Sequence, residues 1–149
     1  MEKKKVLWPT DFSNRAEHAL DYITSLMERY DADVHVLYVI EDIARHPPLY
    51  GEFKQPHVNK LTAWEKETAE KRLDQICEKY LNQCLTYKKH IAVGDPALEI
   101  LKFARDEGVQ LIVMPTRGKD GKFSYGSITQ EVLQNSTIPV VTIPVLSEN

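Results

Sequence analysis

Short unbroken apolar runs alternate along the chain with stretches in which apolar residues recur every three or four positions. "KVLWPT" (5–10) is the first such run and predicts a buried strand that stops at Pro9. The period then changes. Ala16, Ala19, Leu20, Ile23, Met27 and Tyr30 fall on one face of a helix, with Ser13 placed to cap its start. "ADVHVLYVI" (32–40) is β-branched and apolar and predicts a second strand. From Glu41 to about Val58, Pro47, Pro48, Gly51 and Pro56 interrupt any helix and predict a long irregular segment. Helical spacing returns from Leu61 through Ala69, Leu73, Ile76, Cys77, Tyr80 and Leu81.

"LTYKKHIAVG" (85–94) alternates enough to predict a third strand, placed at a sheet edge. In "GDPALEILKFARDEG", Asp95 stands as N-cap and Pro96 at the first helical position, where its missing N–H costs nothing. Gly108 sits where a C-terminal cap belongs. "VQLIVMP" (109–115) predicts a fourth strand. Ser127 and Gln130 read as a capping box opening a short helix that turns Ile128, Val132 and Leu133 inward, and "IPVVTIPV" (138–145) predicts a fifth strand.

Strands alternating with helical crossovers imply an α/β fold: an open parallel sheet with helices on both faces. Ligands of such sheets bind beyond the carboxyl ends of the strands, where the strand order reverses. Here those ends are "PTDFS", "VIED" and "MPTRG", and all three can face one crevice.

Composition removes several function classes. The 149 residues suit one domain spanning 1–149, and a net charge of −3 gives no basic stripe for nucleic acid. No apolar run approaches the roughly 20 residues of a membrane span, and "MEKKKVLWP" is too short in its apolar part for a secretory signal. Cys77 and Cys84, if they share one continuous helix, are too far apart along its axis for a disulfide. These features predict a reduced, cytoplasmic protein with no nucleic-acid or membrane partner.

The candidate chemistry is concentrated in "RGKDGKFSYGSITQ" (117–130), which holds three of the six glycines. Gly126-Ser127 opens a helix, where free N–H groups and the positive dipole end favour an anion, and Arg117, Lys119 and Lys122 add charge. The same residues also suit a soluble surface loop with glycine turns. Neither a Walker A motif nor a G-x-G-x-x-G fingerprint is present. Asp11, at the end of the first strand, could bond a base or ribose, or equally cap the following helix. His18, His35, His46, His57 and His90 are scattered, with no metal-ligand spacing and no catalytic set. Trp8 and Trp64 read as core or interface residues.

"PTDFSNRAEHAL", "HVLYVIED", "VGDPALEIL", "LIVMPTRG" and "GSITQEVLQNSTIPVVTIP", in this order from about Lys5 to Pro144, resemble the universal stress protein family. The resemblance implies the adenine nucleotide alpha hydrolase-like sheet, with strand order 3-2-1-4-5, and a homodimer through the last strand, here 138–145. It also implies an ATP or AMP site in some members. By motif match that site comprises Pro9, Thr10 and Asp11 near base and ribose, and Val39 offering backbone groups to the base. Met114, Pro115 and Gly118 border sugar and phosphate, and Gly126, Ser127 and Ile128 cradle the phosphate end.

Binding members carry G-x2-G-x9-G-[ST] after strand 4. Aligned through "VMPTRG", Pro115 replaces the first glycine and seven residues rather than nine separate Gly118 from Gly126; an alignment that keeps Gly118-x2-Gly121 leaves only four before Gly126. Proline removes a donor and fixes φ, and the shortened loop suits AMP or ADP better than ATP. The reading implied is a regulatory module binding adenine nucleotide, with or without Mg²⁺. The alternative is a stress protein that binds none and acts through its dimer or a protein partner. Without a Walker lysine, a base or a second metal ligand, chemistry is limited to a slow ATPase at most.

Overall fold

A computed structural model describes residues 4–11, 19–41, 55–81, 87–115 and 127–144. In chain order these form β1 (Lys4–Pro9), α1 (Leu20–Tyr30), β2 (Ala32–Glu41), α2 (Gln55–Leu81), β3 (Tyr87–Gly94), α3 (Pro96–Asp106), β4 (Leu111–Pro115), α4 (Ser127–Asn135) and β5 (Val140–Ile143). All strand pairs are parallel, in the order β3-β2-β1-β4-β5, as the resemblance implies. β3 is an edge, as its charged alternation suggests.

The apolar strand runs follow from burial on both faces. Side chains alternate across a strand, so Val6 and Trp8 of β1 turn to one face and Leu7 to the other. The first face packs Val34, Val36 and Val113 against Leu20, Ile23 and Met27 of α1 and Leu73 and Ile76 of α2. The second packs Leu7, Leu37, Ile112 and Met114 against Ala97, Ile100 and Ala104 of α3 and Val132 of α4. Trp8 is fully buried, whereas Trp64 is 62% exposed, so only the first is a core residue.

Caps stand largely where the residue types place them. The Asp95 carboxylate accepts from the Leu98 N–H at 3.1 Å and Pro96 opens α3. Gly108 follows that helix with φ 66°, the left-handed geometry of a C-terminal stop.

Four sequence expectations change. Pro56 does not break α2, which already begins at Gln55; proline is tolerated in a first turn because that N–H has no intrahelical partner. Ile128 and Leu133 are not inward: they are 37% and 39% exposed, and Thr129 and Val132 are buried instead. Ser127 is already the first residue of α4 rather than the cap before it. β5 is also shorter than 138–145, because the Ser136 hydroxyl bonds Ile138 in a tight turn before the strand. The expectation for Cys77 and Cys84 assumed one helix through both, but α2 ends at Leu81 and Cys84 lies outside the described residues. The Ser13 cap and the 42–54 segment also lie outside them.

Gly94 ends β3 with φ 154°, and a Cβ there would meet Glu99 Oε1 at 2.7 Å and its Cγ at 3.0 Å. Gly94→Ala is expected to cost about 1–2 kcal/mol in urea unfolding. Part of that loss returns in the double variant with Glu99→Ala, which removes the clash and leaves the backbone strain. Equal losses in both variants would show that the clash contributes nothing.

Candidate functional site

The chain leaves β1 toward β2 and β3 on one side, and returns to β4 and β5 on the other. The carboxyl ends of β1 and β4 therefore flank the point where strand order reverses, the place where open α/β sheets bind ligands. Thr10 continues β1 past Pro9: its N–H donates to the Leu37 carbonyl at 2.9 Å, and its side chain is buried. This tie sets where Asp11, half-buried, emerges at the rim.

Val39 on β2 is half-buried beside that rim. Met114 and Pro115 end β4 in the core, Met114 at 4% exposure, so its side chain serves the sheet's second face. After β4 in the chain, α4 begins with exposed Ser127 and Ile128. Gly118 and Gly126, with Arg117, Lys119 and Lys122, lie outside the described residues. Among the described candidates, then, the topology gathers the ends of β1, β2 and β4 and gives α4 a start just after them in the chain.

One contact unforeseen from sequence ties α4 to β4. The buried Thr129 hydroxyl donates to the Pro115 carbonyl at 3.1 Å. Pro115 has no N–H to offer a ligand, but its carbonyl anchors the helix through this bond. A threonine two positions past a helix start carries no such signal in one dimension.

The rim is acidic on the β2 side. The Tyr38 phenol is pushed above its usual range by burial first, then by the Glu65 carboxylate, with Asp11 and Glu41 adding to the shift and Arg72 opposing it. Burial also raises the Glu65 carboxyl. Among the described residues no group of three metal-ligating side chains gathers. A separate cleft of about 380 Å³ lies between α3 and the turn after α4, lined by Leu98, Leu101, Lys102, Arg105 and Ile138, and takes no part in this crevice.

Comparison with known proteins bears on the same region. The model of the universal stress protein family matches residues 3–144. The chain is 32% identical over 156 aligned positions to universal stress protein MJ0577 of Methanocaldococcus jannaschii, covering 94% of each. The solved MJ0577 structure superposes with a TM-score of 0.83, covering 99% of this chain and 100% of that one. Two more distant structures share the fold. One is the Archaeoglobus fulgidus universal stress protein in complex with dAMP, 19% identical, TM-score 0.65, covering 95% of this chain and 98% of that one. The other is a universal stress protein in complex with cAMP, 15% identical, TM-score 0.63, covering 97% and 98%.

Proposed function

The chain belongs to the universal stress protein family, and from that premise we propose that it is a cytoplasmic, homodimeric regulatory module that binds adenine nucleotide. The observation that carries this reading is the reversal of strand order between β1 and β4, with half-buried Asp11 just past the end of β1 and α4 following β4 in the chain. The dAMP and cAMP complexes of proteins with this fold support the ligand class.

Asp11 accepts a ribose hydroxyl, Val39 offers backbone groups to the base, and Pro9, Thr10, Met114 and Pro115 form the wall behind. Ser127 and Ile128, with Gly118 and Gly126 of the loop, meet the phosphate at the helix start, where amide hydrogens favour negative charge. Mg²⁺, where the nucleotide brings it, takes most of its ligands from phosphate and water. Among the described residues no set calls for efficient turnover; the nucleotide acts by binding one state of the protein better than another.

The homodimer reading rests on the two sheet edges. β3 carries exposed Lys88 and Lys89, the second paired with Asp74, and lysines protect an edge from pairing. β5 carries half-exposed Val140, Val141 and Ile143, with exposed Leu133 nearby in sequence, and offers an apolar edge that a second copy covers. Among the described residues no helix is long and apolar enough to cross a membrane.

Thermal unfolding in AMP, ADP and ATP, each with and without Mg²⁺, tests the nucleotide reading. A ligand at a hundred times its Kd adds about 2.7 kcal/mol, which for a chain of this size is a rise of about 5–10 °C in melting temperature. Asp11→Ala and Ser127→Ala are each expected to reduce that rise, measured against the variant's own ligand-free melt. An unmoved melting temperature at millimolar nucleotide removes this reading and favours the partner-surface alternative, for which the missing amide at Pro115 is the argument.

A further inference from the structure

Two histidines that the proposed nucleotide site does not use meet on the paired strands β2 and β3, on the face of the sheet that α3 covers. His35 stands on β2 opposite Leu7 of β1, and His90 on the edge strand β3 opposite Leu37. His35 is 5% exposed. Its Nδ1 lies 3.0 Å from Nε2 of His90, and the ring planes are inclined by only 22°. Phe103 of α3 leans on both imidazoles, with centroids 5.8 Å and 4.6 Å away. One hydrogen bond thus joins two strands, under a ring supplied by the helix that covers them.

We propose that the His35–His90 pair is a proton-sensitive latch, which holds the β3 edge and α3 to the sheet when at most one imidazole is charged and releases them on acidification. This inference is independent of the nucleotide reading. An N–H···N bond between imidazoles needs a hydrogen on one nitrogen and a lone pair on the other. One added proton leaves that bond possible; a second removes the only acceptor and sets two cations against each other at contact distance.

The surroundings offer no surplus negative charge to hold a doubly charged pair. The charged groups felt there are Lys5 from β1, Asp33 from β2, Lys88 from β3 and Glu107 just past α3, two of each sign. Lys5 is itself fixed, its ammonium donating to the Glu107 carbonyl at 3.1 Å. Burial is the first cause that pushes His35 below the ordinary imidazole range, with Lys88 and Lys5 adding and Asp33 and Glu107 opposing. Burial likewise leads for His90, followed by His35 itself; Lys88 adds to that shift and Glu107 opposes it.

The sign follows from linkage. With both folded pKa values depressed, the unfolded chain binds more protons, so the latch contributes fully above the ordinary histidine value of 6.5 and its contribution is lost as pH falls through the lower folded values. β3 has a neighbour on one side only, so it opens at lower cost than β1 or β4 inside the sheet. Acid therefore loosens this corner before the rest of the fold.

Ring-nitrogen NMR of the wild-type protein from pH 8 to 5, with native-state amide exchange corrected for intrinsic rate, tests the latch. Both histidines are expected to titrate below the usual range. Protection at Lys88–Ile91 and Leu101–Ala104 is expected to fall about three- to tenfold relative to β1 and β4 between pH 7.5 and 5.5, the worth of one part-buried hydrogen bond. His90→Gln, which keeps a donor and an acceptor but does not titrate, is expected to remove that pH dependence. Ordinary titration of both rings, uniform protection, or an equal acid loss in His90→Gln overturns the proposal; the wild-type titration decides by itself if the variant does not fold.

Discussion

Trp8→Ala is expected to lower the unfolding free energy by about 3–5 kcal/mol, the range for deleting a large buried aromatic side chain. Domains of ordinary stability hold about 5–15 kcal/mol, so the variant is left marginal or unfolded. Trp8 has no exposed surface and sits on the central strand. Its cluster joins Leu20 and Ile23 of α1, Val34 and Val36 of β2, Leu73 of α2 and Val113 of β4. A cavity there borders β1, β2 and β4, whose backbones are held in place by the sheet ladder and cannot all move inward. Urea unfolding followed by circular dichroism measures the loss. Trp64→Ala is the control: with 62% of that residue exposed, its expected change is within about 0.5 kcal/mol. A Trp8→Ala loss under about 1.5 kcal/mol would mean the core collapses around the site more freely than close packing allows.

Val132→Asp is expected to cost at least about 3 kcal/mol, because it places a carboxylate without a partner in an apolar layer. Val132 is fully buried against the second face of the sheet, in the cluster with Leu7, Ile112 and Met114. With Thr129 it is one of the two buried side chains of α4. Losing it undocks the helix, so the nucleotide binding proposed for the helix start is expected to fall with stability. Leu133→Asp, one position on and 39% exposed, is expected to change the unfolding free energy by no more than about 0.5 kcal/mol. The contrast checks which face of α4 meets the sheet, since the apolar residue types alone favour Ile128 and Leu133 as strongly as Val132. Comparable losses in both variants would restore the broader inward face read from the sequence.

That disagreement shows what a periodic pattern can carry. α4 is nine residues long, too short for apolar spacing to separate a buried stripe from apolar residues left at its margin. Thr129 turns inward because its hydroxyl has the Pro115 carbonyl to bond, a partner supplied by another element. Pro56 misled for a related reason: proline marks a helix interior as broken but a first turn as permitted, and position relative to the start decides which applies. The ends of β1, β2 and β4 were legible because apolar runs stop near them, at Pro9, Ile40 and Pro115. The Tyr38, Glu65 and Asp11 neighbourhood was not, since Glu65 belongs to a helix that crosses from another part of the chain.

The order of elements, the caps at Asp95 and Gly108, the parallel sheet and the family likeness were all determined by the sequence itself. Each depends on backbone chemistry and spacing among residues close along the chain, or on motifs recurring in fixed order. The tertiary structure alone decided that His35 and His90 share a hydrogen bond, that Thr129 clasps Pro115, and which side of α4 is buried. Those outcomes depend on strand register and on the placement of helices over the sheet. Many distant side chains settle both together, and no local pattern records them.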